Sequence, residues 1–441
     1  MMKLFANILK KITFAPIFIA NYSFFMIIQR LFIRKIIFLS LCCLAALHNV
    51  SSQNSKFDYN FYGFVRGDLY YNSRSNMEVV DGFFYLYPKD KLYDADGKDI
   101  NARPSSSFST LTTRLGLNIK GPDIGSARSS ANIEADFGGA GDTRFMLRIR
   151  HIYLKLDWQK GSSLILGQTW HPLFGEVMPN VLNLGTGAPF QPFNRSPQIN
   201  YQYRTGGIKL TTSAIYQHIY TSAGPEGNSA KYLKDGILPE LYAGIDYING
   251  NFLAGAGVDM ISLKPRLQSV SGGNVYSVNE RITSFSYELH AKYTQNKLHL
   301  SGKTLLSSNQ THNTTLGGFG VSGIDDRTGE QDYTPFRYST SWLNIVYGKK
   351  YQGSLFAGYS KNLGTSESLV DADKIYGLGM GIDQLTNFRL SFKYVLPHWN
   401  FGLGYTFATA WYGETRLSDG KVINTHDVSN HRIESVFMYL F

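Results

Sequence analysis

The chain has 441 residues, of which 17% are charged and 14% are aromatic, and its formal net charge is +10. Six of the 43 basic residues precede Gln53 and no acidic residue does, so the remainder carries 37 basic and 33 acidic residues. This near balance gives no reason to expect binding to nucleic acid. Both cysteines, Cys42 and Cys43, lie in the same N-terminal segment, so we do not expect disulfides to stabilise the fold.

The N-terminal segment has the layout of a signal peptide. Three basic residues precede the apolar run 36–47, and small residues follow it before Gln53. The run is too short for a membrane-spanning helix, which needs about 20 apolar residues. A second apolar stretch, 12–28, lies upstream and favours either a true start at Met26 or a retained helical anchor. We therefore predict a signal-peptide region over residues 1–52.

Beyond Gln53 the sequence contains sixteen runs in which apolar and polar residues alternate, the period of a β-strand with one apolar face. The predicted strands span 57–71, 108–120, 129–137, 144–158, 162–170, 197–204, 206–217, 239–248, 251–263, 280–295, 297–308, 336–348, 351–361, 386–396, 398–410 and 429–441.

The connections between these strands indicate the architecture. Seven short turns alternate with eight connections, most of them long. This order is typical of a membrane barrel with short periplasmic turns and long extracellular loops. A soluble sandwich is the alternative, but it has no reason to sort its connections in this way. The sequence therefore predicts an all-β fold, a transmembrane antiparallel β-barrel of about 16 strands, as a single domain over residues 53–441.

Alternation within the strands predicts which side chains face the lumen. In the third predicted strand, Ile133 and Phe137 lie on the face opposite Glu134 and Asp136. Sixteen strands enclose a lumen wide enough for water. We therefore expect the charged faces to point inward and the apolar faces to contact lipid.

The fourth predicted strand changes parity midway. Leu147 and Ile149 share one face, whereas Ile152 and Leu154 have the opposite parity. A β-bulge near Arg150 would return all four to the lipid face. The alternative is a strand that protein covers on both faces, as at a subunit interface.

The last strand ends on an aromatic residue. Ile433, Phe437, Tyr439 and Phe441 share one face, and more polar residues occupy the other. A final strand of this kind is typical of outer-membrane barrels, in which it pairs with the first strand and leaves no open edge.

Five segments in order, 61–66, 112–116, 133–137, 150–155 and 166–170, resemble successive strands of the DcaP-like trimeric porins. The resemblance is most specific between about residues 60 and 220. It implies a sixteen-stranded trimeric barrel that passes small, often anionic solutes such as dicarboxylates. Some members carry an N-terminal periplasmic coiled coil, for which this sequence has no heptads before the first strand. A trimer would therefore depend on contacts between barrels.

The long loop 171–196 corresponds to the third external loop, which folds into the lumen of general porins. We expect its residues Glu176, Asn194 and Arg195 to form a constriction, although an ordinary surface loop is the alternative. Rings of arginine and lysine select anions because guanidinium groups bind carboxylates bidentately. The predicted pore-lining and substrate-binding residues are Arg66, Asp68, Arg114, Glu134, Asp136, Arg148, Arg150, Lys155, Glu176, Arg195 and Arg204. The competing interpretation is that most of these charges pair with one another and stiffen the wall.

These observations predict a porin of the Gram-negative outer membrane, without catalytic residues, cofactor or metal, whose partners are lipid, small anionic or polar solutes and two further copies of the chain. One alternative is a barrel-based enzyme, such as a lipase with serine and histidine on the lipid face. It is disfavoured because His290 and His299 are predicted to face inward. The other alternative is a binding or adhesion barrel whose long loops contact a partner and whose lumen is occluded.

Overall fold

The computed structural model describes residues 57–79, 82, 84–138 and 145–441. The predicted signal-peptide region, with the possible start at Met26, lies outside the described residues. The described helices are one α-helix, Lys231–Gly236, and two 3-10 turns, Thr311–Asn313 and Ala372–Lys374. In the part of the chain that the structure describes, none of the helices has the length and apolar character needed to cross a membrane.

Seventeen strand segments form one antiparallel sheet, and two of them, Ser105–Ser109 and Arg114–Lys120, both pair with the first strand and make one interrupted strand. The sheet therefore has sixteen strands. They are β1 (Asp58–Asn72), β2 (Ser105–Ser109 and Arg114–Lys120), β3 (Ala127–Gly138), β4 (Phe145–Trp158), β5 (Ser162–Trp170), β6 (Arg195–Thr205), β7 (Ile208–Ile215), β8 (Glu240–Asn249), β9 (Phe252–Leu263), β10 (Ile282–Gln295), β11 (Leu298–Ser308), β12 (Arg337–Gly348), β13 (Tyr351–Gly364), β14 (Ile382–Val395), β15 (Trp399–Thr415) and β16 (Val422–Leu440).

The sheet closes on itself through its first and last strands. Phe64 lies opposite Leu440, and the pairing continues to Asn72 opposite Arg432. Gly63 and Phe441 exchange two backbone hydrogen bonds at 3.1 and 3.2 Å. Closure leaves no unpaired edge, which a barrel in lipid requires because lipid cannot hydrogen-bond to an open strand. The predicted closed antiparallel barrel of sixteen strands is confirmed.

The observed strands match the sixteen predicted ones, and the largest differences occur near the C-terminus. We predicted that the last strand begins at residue 429, whereas β16 begins at Val422. The extension pairs with the end of β15, where Thr415 lies opposite Val422 and Glu414 opposite Ile423. The residues of this extension are more polar because they lie beyond the part of the barrel whose outer face is apolar. The alternation of apolar and polar residues therefore did not reveal them.

The two faces of the barrel differ as predicted. Apolar side chains that point away from the lumen are exposed on strands all around the barrel: Val65, Leu115, Ile133, Leu147, Ile199, Leu210, Ile245, Leu289, Leu343, Leu390, Leu403 and Ile433. Polar and charged side chains on the opposite face are buried: Asp68, Glu134, Asn200, Lys209, Asp246, Glu288, Asn344, Arg389 and Arg432. This distribution is the reverse of that in a soluble protein and suits a barrel surrounded by lipid.

The predicted β-bulge in β4 is confirmed. Glu134 pairs with His151, but the next residue of β3, Ala135, pairs with Ile149, so Arg150 is the extra residue. The amide of Gln168 donates to the carbonyl oxygens of Ile149 and Arg150, at 3.1 and 3.3 Å. These bonds satisfy carbonyl groups that the bulge removes from the ladder.

The extracellular loops contain secondary structure of their own. The first holds the hairpin Asn76–Val79 with Phe84–Pro88, and a later one the hairpin Gln268–Ser271 with Asn274–Ser277. Gly317–Ile324, Gln331–Pro335 and Ile375–Leu378 form a three-stranded sheet. A large apolar cluster joins the first loop to the loop after β5 and to inward side chains of the wall: Phe84, Leu86, Tyr87, Phe174, Val177, Phe190, Phe193, Trp342 and Phe356. The main apolar core therefore lies inside the barrel.

Candidate functional site: the lumen and its loop

The loop of residues 171–194, here called the lumen loop, extends from β5 to the far side of the barrel. The carbonyl oxygen of Leu182 accepts a hydrogen bond from Arg66 on β1 at 2.7 Å. The amide of Asn180 donates to the Oδ1 of Asn344 on β12 at 2.8 Å, and Lys393 on β14 also contacts Asn180. Since β12 and β14 lie across the barrel from β5 and β6, the loop spans the lumen.

Glycines on the far wall provide the space that the lumen loop occupies. A Cβ atom at Gly402 would lie 2.5 Å from the side chain of Leu182. A Cβ atom at Gly358 would lie 2.7 Å from the ring of Phe190. Non-bonded carbon atoms essentially never lie this close together. A side chain at either position would therefore displace the loop, and glycine allows the close approach.

Seven of the predicted pore-lining residues lie on the wall of β1 to β4 and are here called the arginine cluster: Arg66, Asp68, Arg114, Glu134, Asp136, Arg148 and Arg150. The ion pair of Arg66 with Asp68 measures 2.6 Å. Arg150 bridges Glu134 at 2.7 Å and Asp136 at 3.0 Å.

The two remaining arginines of the arginine cluster pair with the same carboxylates. Arg148 lies 2.7 Å from Asp136, and Arg114 lies 3.4 Å from Glu134. The cluster has four guanidinium groups and three carboxylates, so one positive charge is left over. These charged residues therefore pair with one another, as the competing interpretation of the sequence states. One positive charge remains without a carboxylate to balance it.

A second network surrounds Glu176 in the lumen loop, here called the lysine cluster: Glu176, Arg204, Lys209, Asp246 and Lys292. Lys209 lies 2.7 Å from Glu176 and 2.8 Å from Asp246. Arg204 and Lys292 lie 3.7 and 3.9 Å from Glu176. Three cations face two carboxylates, so this cluster also carries one surplus positive charge.

Glu176 is partly open to the lumen, with 44% of its side chain exposed. Burial of the rest of the side chain raises its pKa. The hydrogen bond and the charge of Lys209 together outweigh that effect, so the pKa of Glu176 lies below the ordinary value for glutamate. Glu176 is therefore ionised at neutral pH.

Two cavities adjoin the lysine cluster. One of about 180 Å³ lies between the lumen loop and the wall, and Trp170, Glu176 and His290 are among its lining residues. The other, of about 300 Å³, is lined in part by Lys155, Asp157 and Arg204. Both cavities share Gln202 and Lys209 in their walls. Polar and charged groups thus line the space beside the lumen loop.

Arg195 and Asn194 occupy a different environment from Glu176. The guanidinium of Arg195 lies 4.7 Å from the ring centre of Trp170 and donates to the hydroxyl of Tyr220 at 2.7 Å. Arg195 is only 1% exposed, and Asn194 is fully buried. These two residues therefore anchor the end of the lumen loop: aromatic rings surround the guanidinium of Arg195, and Asn194 accepts hydrogen bonds from Ser196 and the amide of His171.

Several inward charges were missing from the sequence-based site: Lys209, Asp246, His290, Lys303, Arg389, Lys393 and Arg432. Each lies at an inward position of its strand, so alternation could have identified them. Lys303 forms a 3.0 Å ion pair with Glu288, and Lys361 pairs with Asp383 at 2.6 Å. The sequence did not indicate which of these charges meet, because the pairing depends on the register between strands and on side-chain conformation.

Comparison with solved structures identifies the fold. The outer membrane channel DcaP of Acinetobacter baumannii matches with a TM-score of 0.63 at 20% sequence identity, over 87% of this chain and 97% of that chain. The fold is that of the outer-membrane porins. The predicted resemblance to DcaP-like porins is thus confirmed at the level of fold.

Two further structures share this porin fold. The outer membrane protein OmpT of Vibrio cholerae matches with a TM-score of 0.52 at 11% identity, over 89% of this chain and 99% of that chain. An anion-selective porin from Comamonas acidovorans matches with a TM-score of 0.51 at 13% identity, over 88% of this chain and 100% of that chain. No protein-family model matches the sequence, and none of the curated proteins is similar to it in sequence.

Proposed function

We propose that the chain is an outer-membrane porin through which small polar solutes, preferentially anions such as dicarboxylates, diffuse passively. The observation that carries the proposal is the combination of a closed barrel, an apolar outer face and a charged lumen that one internal loop narrows. Such a barrel excludes lipid from its interior and offers solutes a polar route.

Preference for anions is supported by the charges of the lumen. The arginine cluster and the lysine cluster each hold one cation more than they hold carboxylates. Cations that line a narrow passage concentrate anions and repel cations. The similar Comamonas structure is described as an anion-selective porin. We extend that selectivity to this chain as part of the proposal.

A trimer is the proposed assembly. One of the similar OmpT structures from Vibrio cholerae, with a TM-score of 0.51 and 12% identity, is described as a trimer form. We expect the barrels to associate through their apolar outer faces.

The test is single-channel recording in a planar bilayer with protein purified in detergent. A salt gradient across the bilayer gives the reversal potential, which reports the permeability ratio of anion to cation. Stable conductance steps with a reversal potential on the anion side are the expected result. A cation-side reversal potential would contradict the proposed selectivity, whereas folded protein without conductance would contradict the porin itself.

The second candidate is a binding or adhesion barrel with an occluded lumen. It is favoured by the apolar core inside the barrel, where Phe84 of the first loop packs edge-on against Phe193 of the lumen loop at 4.6 Å. This candidate predicts folded barrels without conductance, so the same recording separates the two candidates.

The enzyme alternative requires a histidine beside a serine on the lipid face of the barrel. His431 faces outward, but its imidazole contacts the hydroxyl of Tyr405 at 2.8 Å and not a serine.

A further inference from the structure

Two histidines and two carboxylates meet inside the barrel wall, apart from the arginine and lysine clusters. This buried histidine cluster consists of His171, Glu240, Asp259 and His312. All four side chains are fully enclosed, with no measurable exposure. They come from four places: the first residue of the lumen loop, the start of β8, the middle of β9 and the 3-10 turn after β11.

The ligand atoms of this cluster converge on one point. The Nε2 atoms of His171 and His312 lie 3.0 and 2.8 Å from the same Oε1 of Glu240. These three atoms lie within 4.8 Å of one another, and Oδ1 of Asp259 is 3.9 Å from Nε2 of His171. Ligand atoms about 2.1 Å from a tetrahedral zinc ion are about 3.4 Å apart. Three of the pairs among these four atoms, at 2.8, 3.0 and 3.9 Å, bracket that spacing.

The two carboxylates of the cluster carry unmatched acceptor atoms. Glu240 and Asp259 adjoin each other. Oε2 of Glu240 and Oδ1 of Asp259 have no hydrogen-bond partner among the described residues, although both are buried. Two carboxylate oxygens in contact repel unless a proton or a cation lies between them. Burying such a pair without compensation is costly.

The nearby lysines do not provide this compensation. Lys303 is 3.0 Å from Glu288, and Lys209 is paired with Glu176 and Asp246. A divalent cation would balance the two carboxylates while using both imidazoles as ligands. Two imidazole nitrogens with two carboxylate oxygens form a donor set that suits zinc and similar transition metals better than calcium or magnesium.

We propose that the buried histidine cluster is a structural site for a zinc-class divalent cation, with Nε2 of His171, Nε2 of His312, Glu240 and Asp259 as ligands. The ion would join the first residue of the lumen loop to β8, β9 and the loop after β11. It would therefore fasten one end of the lumen loop to the barrel wall.

Coordination by both imidazoles would fix their tautomers. In the structure the Nε2 atoms of His171 and His312 lie within hydrogen-bond distance of Oε1 of Glu240, and Nδ1 of His171 accepts a hydrogen bond from the amide of Leu173 at 3.1 Å. A neutral imidazole that binds a metal ion through Nε2 keeps its single ring proton on Nδ1, so this proton would move from Nε2 to Nδ1 with no net release. At His171 the Leu173 hydrogen bond would then be lost in exchange for coordination. Nδ1 of His312 faces the hydroxyl of Ser222 at 3.5 Å, which can accept its proton.

The test measures zinc bound to the full-length protein purified in detergent, after treatment with EDTA and dialysis. Calorimetric titration with Zn²⁺ should give one ion per chain for the wild type. His312→Ala and Glu240→Gln should each weaken binding at least tenfold. His299→Ala is the matched control, because this histidine also faces inward but contacts Thr294 instead of the cluster, and its affinity should equal that of the wild type.

Equal binding by His312→Ala and the wild type, or no stoichiometric binding by the wild type, would overturn the proposal. The latter result would mean that a shared proton, and not a metal ion, separates the carboxylates. Should the variants fail to fold, as judged by loss of heat-modifiable migration in gels, the wild type still decides the question. Its Co²⁺ complex should show the intense visible bands of tetrahedral cobalt, and an octahedral spectrum would refute the assigned ligands.

Discussion

Replacing Glu176 by glutamine provides the sharpest test of the proposed passage. The carboxylate lies in the lumen loop among three cations and remains 44% exposed. Glutamine keeps an oxygen that can accept the hydrogen bond of Lys209, so the loop should keep its position. The substitution removes one negative charge and raises the surplus charge of the lysine cluster from one to two. We expect stronger preference for anions.

The size of this effect follows from the electrostatics of an aqueous passage. A monovalent ion passing about 6 Å from Glu176 interacts with it by about 0.7 kcal/mol in water, and 0.1 M salt reduces this to about 0.4 kcal/mol. Such an energy changes the local concentration of each ion about twofold, in opposite directions for anion and cation. The permeability ratio of anion to cation should therefore rise about three- to fourfold.

The assay is the reversal potential across a KCl gradient in a planar bilayer, with single-channel conductance recorded in parallel. Glu226→Gln is the control, because this exposed residue pairs only loosely, at 3.5 Å, with Lys231 in an extracellular loop. The control should match the wild type. An unchanged reversal potential for Glu176→Gln, at wild-type conductance, would refute the placement of Glu176 beside the passage.

Further predictions concern the rest of the barrel. Replacing both Arg114 and Arg148 by glutamate changes the arginine cluster from one surplus positive charge to three surplus negative charges. The reversal potential should therefore shift toward the value for a cation-selective channel. An unchanged reversal potential would show that neither residue lines the passage. Deleting Phe441 removes two backbone hydrogen bonds at the closing seam, and heat-modifiable barrel in the outer membrane should fall severalfold, whereas normal assembly would make the terminal aromatic dispensable. Gly358→Leu inserts a side chain where an aromatic ring of the lumen loop already lies, which should displace the loop and alter single-channel conductance; wild-type traces would contradict the described packing. Since the pKa of Glu176 is lowered, its charge persists from pH 7 to about pH 5, so the difference in ion selectivity between the wild type and Glu176→Gln should stay constant over that range; a difference that disappears already at pH 6 would contradict this.

The strands and their faces were predictable because alternation is a local property. In β3, Ile133 and Glu134 face opposite sides in any strand, and lipid outside with water inside makes that difference visible in the sequence. The same reasoning located the bulge at Arg150 from a change of parity. Strand ends were less accurate where polar residues continue the pairing, as in the extension of β16 from Val422.

The position of the lumen loop was predicted from its order along the chain, but the positions of its side chains were not. Arg195 and Glu176 both appeared as candidates for a constriction. Only the folded structure separates them, because Arg195 packs against Trp170 while Glu176 extends toward Lys209. The sequence analysis likewise left open whether inward charges face solutes or one another, since cross-strand distances depend on register.

By itself the sequence determined that the chain forms a closed barrel, which residues face lipid, and which loop is long enough to enter the lumen. These properties depend on the period of two and on connection lengths, both of which can be read along the chain. Only the tertiary structure decided how the loop crosses the lumen, which charges pair, and that His171, Glu240, Asp259 and His312 meet. Contacts of this kind join residues far apart in the chain, such as Asn180 and Lys393, which are 213 positions apart. Only the closed barrel with the loop inside it brings such residues together.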